Sequence, residues 1–246
     1  MTLQRLRAAG LVAPVALALP ALALLIGLGT WQMQRKAWKE DLIAQITARI
    51  HQPPVAFAEL EKQAASGSVE YARARAHGTF RHDGEQFLWE PDPRQGPGYH
   101  VYTPLRLDDG RFILVNRGYV TEAKKAPSSR PEGQIRDEVE VVGLLREPIA
   151  RPMFSPDHDT RTGVWYWRDL DGMTKAALGV DTGKAVRYVL DAEATPANPG
   201  GWPQGGVTRL TLPNRHLEYA VTWYGLALTL IGVLTAFIIS RWRAAA

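Results

Sequence analysis

The sequence predicts a membrane-anchored α+β protein in which two transmembrane helices bracket a mainly β domain, a small barrel or sandwich. Three observations carry that expectation. An uncharged apolar run extends from Leu11 to Met33, a second extends from about Tyr219 to Ser240, and short strand-like segments separated by turn residues fill the interval. With 246 residues, 46% of them apolar and 22% charged, the chain suffices for one compact domain plus anchors but not for two large domains.

Residues 1–10 form a short N-terminus ahead of the first span, residues 11–33. As a helix that run is about 30 Å long, enough to cross a bilayer. Arg5, Arg7 and the small-residue run Ala21-Leu22-Ala23 also fit a cleaved signal peptide. The apolar stretch continues to Trp31, however, well beyond the roughly 7–15 residues such a peptide needs, so an uncleaved anchor is expected. Pro14 and Pro20 each remove a helix hydrogen bond, a loss that neighbouring helices absorb in membranes. Trp38, Leu42, Ile46 and Ile50 then recur at helical spacing, which extends the helix as an amphipathic segment over residues 34–52 until Pro53 and Pro54 end it.

The β domain occupies residues 53–218. Its expected strands are 71–80, 86–90, 99–107, 111–120, 139–145, 164–168 and 186–191, with a short helix over 169–178 and long Pro/Gly-rich loops at 148–161 and 195–206. The clearest hairpin spans Tyr99 to Val120, where Asp109-Gly110 supplies the positive φ of a tight turn. Residues 219–240 form the second span and 241–246 the C-terminus. Arg5, Arg7, Arg241 and Arg243 place both ends in the cytoplasm. Arg35, Lys36 and Lys39 pull the other way but are partly offset by Glu40 and Asp41, and a long loop translocates with little regard to charge. The first span begins within ten residues of Met1, leaving no room for a mitochondrial transit peptide, so the expected setting is a bacterial inner membrane with the central domain in the periplasm.

Charge and composition narrow the function. The 29 basic and 25 acidic residues leave +4, scattered along the chain, which argues against a nucleic-acid partner and for positive flanks meeting membrane lipid. The absence of cysteine removes thiolate metal sites, thiol catalysis and disulfides. Four dispersed methionines do not suggest a thioether copper site. No HExxH, GxSxG or EF-hand pattern occurs, and Gly179 to Lys184 is a loop, not a phosphate cradle. An enzyme is therefore not expected.

His51, His77, His82, His100 and His158 read as surface or hydrogen-bonded histidines. His216 differs, standing at the outer edge of the second span. On a helix it shares a stripe with Tyr219, Ala220, Trp223, Ala227 and Leu230. A neutral imidazole there is suited to haem iron, with Tyr219 and Trp223 as walls and Arg215 or Arg209 for propionates. An ordinary interfacial aromatic belt reads from the same residues. Small residues at Gly27, Gly29, Gly225 and Gly232 suggest that the spans approach closely, chiefly through Gly225 and Gly232. Asn116-Arg117-Gly118 suggests a charge-assisted hydrogen-bond network, and Trp165-Tyr166-Trp167-Arg168 aromatics alternating across a strand.

Taken in order, Gly29-Thr30-Trp31-Gln32, Gly98-Tyr99-His100-Val101, Val115-Asn116-Arg117-Gly118-Tyr119-Val120, Trp167-Arg168-Asp169 and Asn214-Arg215-His216-Leu217 through Thr222-Trp223-Tyr224-Gly225 resemble the Surfeit locus protein one family. The one departure is Tyr119, where an indole is more usual. The resemblance implies an assembly factor for haem-copper cytochrome c oxidase, a bacterial member that binds haem a transiently, receives it from haem a synthase and passes it to subunit I. His216 would be the iron ligand, with Arg215, Tyr219 and Trp223 around the ring. A scaffold that holds an unfinished subunit I without binding haem is the alternative.

Overall fold

The computed structural model describes residues 10–93, 95–159, 162–210 and 212–245, so Arg5 and Arg7 and the Arg161 end of the 148–161 loop lie outside the described residues. The chain divides into two compact units, residues 46–210 and a helical unit made of the segments on either side. In the helical unit, α1 begins at Val12 and runs without a break to Ile50, carrying Pro20 inside it. Helix propensity is reinforced beyond the apolar run, where Lys36 pairs with Glu40 one turn on at 2.7 Å and Arg35 lies over the Trp38 ring at 4.2 Å. The C-terminal helix spans His216–Ala245. Both are long and apolar enough to cross a membrane, and their apolar side chains face outward: Leu17, Leu24 and Leu228 are 74%, 63% and 70% exposed. Surfaces of that kind need a lipid solvent rather than water.

The second unit is the expected β domain, and it resolves the choice between barrel and sandwich. Its strands are β1 (Val55–Ala56), β2 (Arg73–Phe80), β3 (Gln86–Trp89), β4 (Gly98–Leu107), β5 (Phe112–Thr121), β6 (Glu138–Arg146), β7 (Val164–Trp165) and β8 (Ala185–Ala192). The order β2-β6-β8-β5-β4 closes through a second β2–β4 pairing, giving a five-stranded barrel. Closure brings β2 so near β4 that a Cβ at Gly78 would lie 2.0 Å from the Arg106 carbonyl oxygen. β4 serves both ends: its first half pairs with β3 and its second half with β2.

The β4–β5 hairpin turns at Gly110, whose φ is +81°, as the Asp-Gly pair predicts. Its register pairs Tyr99 with Val120 and Arg106 with Phe112, slipping once where Val101 faces Gly118 and Tyr102 faces Asn116. Arg117 is thus the extra residue of a bulge. Strands buried on both faces explain why alternation is weak in β4 and β5. Inward, Leu105, Ile113, Val115, Leu145 and Leu190 form the barrel core, joined by Phe57 and Leu60 of α2 (Phe57–Gln63). Outward, Tyr102, Phe112, Leu114 and Val189 pack against Leu170, Met173 and Ala177 of α3 (Leu170–Leu178). Each such side chain contributes about 1.5–3 kcal/mol by leaving water. Asp169 caps α3, its Oδ1 accepting from the Gly172 amide at 3.0 Å. The final helix of the chain is α4 (His216–Ala245).

Two expectations need correction here. β1 and α2 are absent from the sequence-based set, because a two-residue strand and a two-turn helix fall below the length at which periodicity shows. The strand expected over 164–168 stops at Trp165, so Tyr166, Trp167 and Arg168 belong to a loop.

The Asn116-Arg117-Gly118 segment does hold a charged network. Arg117, 1% exposed, donates through Nη2 to the Gly133 carbonyl at 2.6 Å and Asn198 Oδ1 at 2.9 Å, with its guanidinium carbon 4.6 Å from the Phe80 ring centre. Its Nη1 lies 3.8 Å from Glu85, which Arg130 grips with both terminal nitrogens. Burial alone pushes the Glu85 carboxyl upward, but hydrogen bonds from His82, Arg130 and Gln134 and the Arg130 charge outweigh it and hold the group at about 2. Burial also lowers Arg117 to about 10.

Candidate functional site

The residues of the helical unit that bear polar chemistry lie where α1 leaves its apolar run and α4 begins its own. Gln32 Oε1 and His216 Nδ1 are 2.7 Å apart, and Thr30 Oγ1 and the Tyr224 hydroxyl are 3.2 Å apart. Residue numbers fall along α1 as they rise along α4, so the helices run antiparallel at this level. Gly29 completes the contact: a Cβ there would stand 2.6 Å from the Tyr224 ring, a distance no side chain tolerates. The approach expected through Gly225 and Gly232 is absent, since a Cβ at either would meet nothing within 4 Å. The approach expected at the small residues of the first span is made at Gly29, against the flat face of a tyrosine.

With the Gln32 amide oxygen as acceptor, His216 donates from Nδ1, and in the neutral ring the lone pair then lies on Nε2. That is the arrangement by which a second residue orients a metal-binding imidazole. Tyr219 and Trp223 follow at helical spacings of three and seven, Tyr219 exposed and Trp223 half-buried, with Ala220 and Ala227 buried beside them. Arg215 stands apart. Its Nε and Nη2 donate to Glu218 Oε2 at 3.0 and 2.8 Å, so its guanidinium is already engaged. The structure thus gathers His216, Tyr219 and Trp223 on one stripe and turns Arg215 to a neighbour on its own helix.

Among the described residues no three His, Asp, Glu or Cys side chains converge to hold a bare ion. Gln32, Thr30 and Tyr224 were not among the expected site residues. They were discoverable: a two-span topology sets the end of the first apolar run level with the start of the second, which makes each polar residue there a possible partner of His216.

The chain matches the family model described as the SURF1 family over residues 19–228. It is 38% identical over 217 residues to Surfeit locus protein 1 of Homo sapiens, covering 82% of this chain and 69% of that protein. The Rattus norvegicus protein of the same name is 37% identical over 223 residues, with 85% and 69% covered. A SURF1-like protein of Monosiga brevicollis is 37% identical over 215 residues, with 82% and 78% covered.

Proposed function

The chain belongs to the SURF1 family, and from that premise we propose that it is an assembly factor for haem-copper cytochrome c oxidase that accepts haem a on His216 and passes it to subunit I. The observation that carries this reading is the 2.7 Å Gln32–His216 hydrogen bond, which fixes the ring and directs a bare Nε2 away from its partner. Haem a, when bound, would supply an iron that an imidazole can hold. His216 would hold it, Gln32 would orient the His216 ring, Trp223 and Tyr219 would offer aromatic surface to the cofactor, and Arg215 would reach a propionate only after giving up Glu218. The chain's part is binding, orientation and release, without covalent chemistry, and haem a synthase is the proposed donor. The scaffold alternative, clamping subunit I without haem, draws support from the same Arg215–Glu218 pair, which occupies the intended propionate anchor.

The deciding measurement is an absorption spectrum of the protein purified from cells that make haem a. A Soret band is expected, and its absence would favour the scaffold. The proposed setting is a bacterial inner membrane with the β domain in the periplasm and both termini in the cytoplasm. A reporter active only outside the cytoplasm should therefore work when inserted near Gly133 and fail after Ala246, and activity at the C-terminus would overturn this topology.

A further inference from the structure

The outer face of β3, β4, β5 and β8 presents two kinds of surface. Under α3 it is apolar and closed by Leu170, Met173 and Ala177. Farther along the same strands it turns polar, with His100, Asn116 and Asp191 only 7%, 3% and 3% exposed. Loops, not a helix, border this part, and with the strands they line an open cavity of about 480 Å³, within the usual size of a small-molecule site. Burying polar side chains costs stability unless each is partnered, and apolar residues would fill the space more favourably.

Most of the charges are matched. Asp191 accepts from Asn116 Nδ2 at 3.0 Å, Arg146 Nη1 at 2.8 Å and Thr208 Oγ1 at 3.1 Å. Arg146 is shared with Glu70, and Glu90 stands 3.6 Å from Arg209 and 3.5 Å from His100. Arg168 is the exception. It is 8% exposed, its one hydrogen bond runs from Nη2 to the Glu147 carbonyl at 3.0 Å, and no carboxylate among the described residues lies within ion-pair distance. A buried guanidinium that has a carbonyl but no carboxylate beside it calls for an oxyanion. Trp89 and Tyr166, also in the wall, suit an apolar or aromatic body.

We propose that this cavity of the β domain binds a small organic acid, its carboxylate held by Arg168 and its apolar part set against Trp89 and Tyr166. A single unmatched cation fits a monoanionic carboxylate better than a doubly charged phosphate. The site lies wholly within residues 46–210 and does not rest on the haem reading. Full-length protein in detergent can be titrated with 4-phenylbutyrate and with its primary amide, following tryptophan fluorescence because Trp89 and Trp167 line the cavity. Saturable binding of the acid is expected, with the amide about tenfold or more weaker, as loss of a charge-assisted bond implies. Arg168→Gln should erase that preference, and Arg168→Lys, which keeps the charge, should retain part of it, both with the unfolding transition retained. Equal affinity for acid and amide, no saturable binding by the folded wild type, or an unchanged preference in Arg168→Gln would overturn the proposal.

Discussion

His216→Ala is expected to eliminate the Soret band of protein purified from cells making haem a, the largest single effect in the molecule. On the proposed reading His216 would be the group that holds the iron, whereas Gln32, Tyr219, Trp223 and Arg215 would act on the imidazole or on the rest of the cofactor. The substitutions therefore rank. Gln32→Ala frees the imidazole to rotate and change tautomer while leaving it present, so the band should persist with affinity reduced about 10–100-fold, the usual effect of removing a ligand's hydrogen-bond partner. Arg215→Ala should weaken binding by about tenfold at most, because Glu218 already competes for the guanidinium. His77→Ala should change nothing, since that ring is an exposed partner of Asp108 in the β domain. An unaltered spectrum in His216→Ala would place the ligand elsewhere and return the residue to an interfacial role.

Glu85→Gln should destabilise the β domain by about 3–5 kcal/mol, the typical cost of breaking a buried ion pair from one side. The carboxylate is 3% exposed and, among the described residues, is the only acidic partner of Arg130 and Arg117, each 1% exposed. Without it two guanidinium groups remain buried, and Arg117 already has Nε and Nη1 buried without acceptors. The pH dependence gives an independent magnitude. A carboxyl held at about 2 rather than 4.5 contributes about 3 kcal/mol at neutral pH. Because the folded value is the lower one, that stability is complete above about 4.5 and is lost as pH falls toward 2. Urea unfolding followed by tryptophan fluorescence checks both: the variant should unfold at lower urea at pH 7, and the gap should shrink on acidification. Equal midpoints at pH 7 would show that the network does not stabilise the fold.

Elements long enough to display a period were legible in the sequence. The β4–β5 hairpin declared itself through Asp109-Gly110, α3 as the short helix expected over 169–178, and the two spans through uninterrupted apolar runs. What stayed hidden depended on non-local geometry. Closure of the barrel by β2 on β4 turns on Gly78, whose missing side chain says nothing about which strand will approach it. Tyr166 to Arg168 alternate like a strand, yet the backbone leaves the sheet at Trp165 and spends those side chains on a cavity wall. In the candidate site, His216 and its stripe could be read from helical spacing alone, because they lie on one element. Gln32 does not follow from that spacing, since its partner is 184 positions away, and only the matching levels of the two spans point to it.

Barrel closure also bears on how a partner can be held. Open sheets offer their rims as templates, and many chaperones grip an extended client by adding it as one more strand. Here the five barrel strands have no rim, and the sheet beyond them ends in β1 and β7, each two residues long and each already joined to its neighbour in parallel. Two residues give too few main-chain bonds to hold an unfolded segment in register. Recognition of a client by this domain must accordingly be a matter of side chains and loop shape. It would therefore discriminate by sequence, where strand addition would accept almost any extended chain.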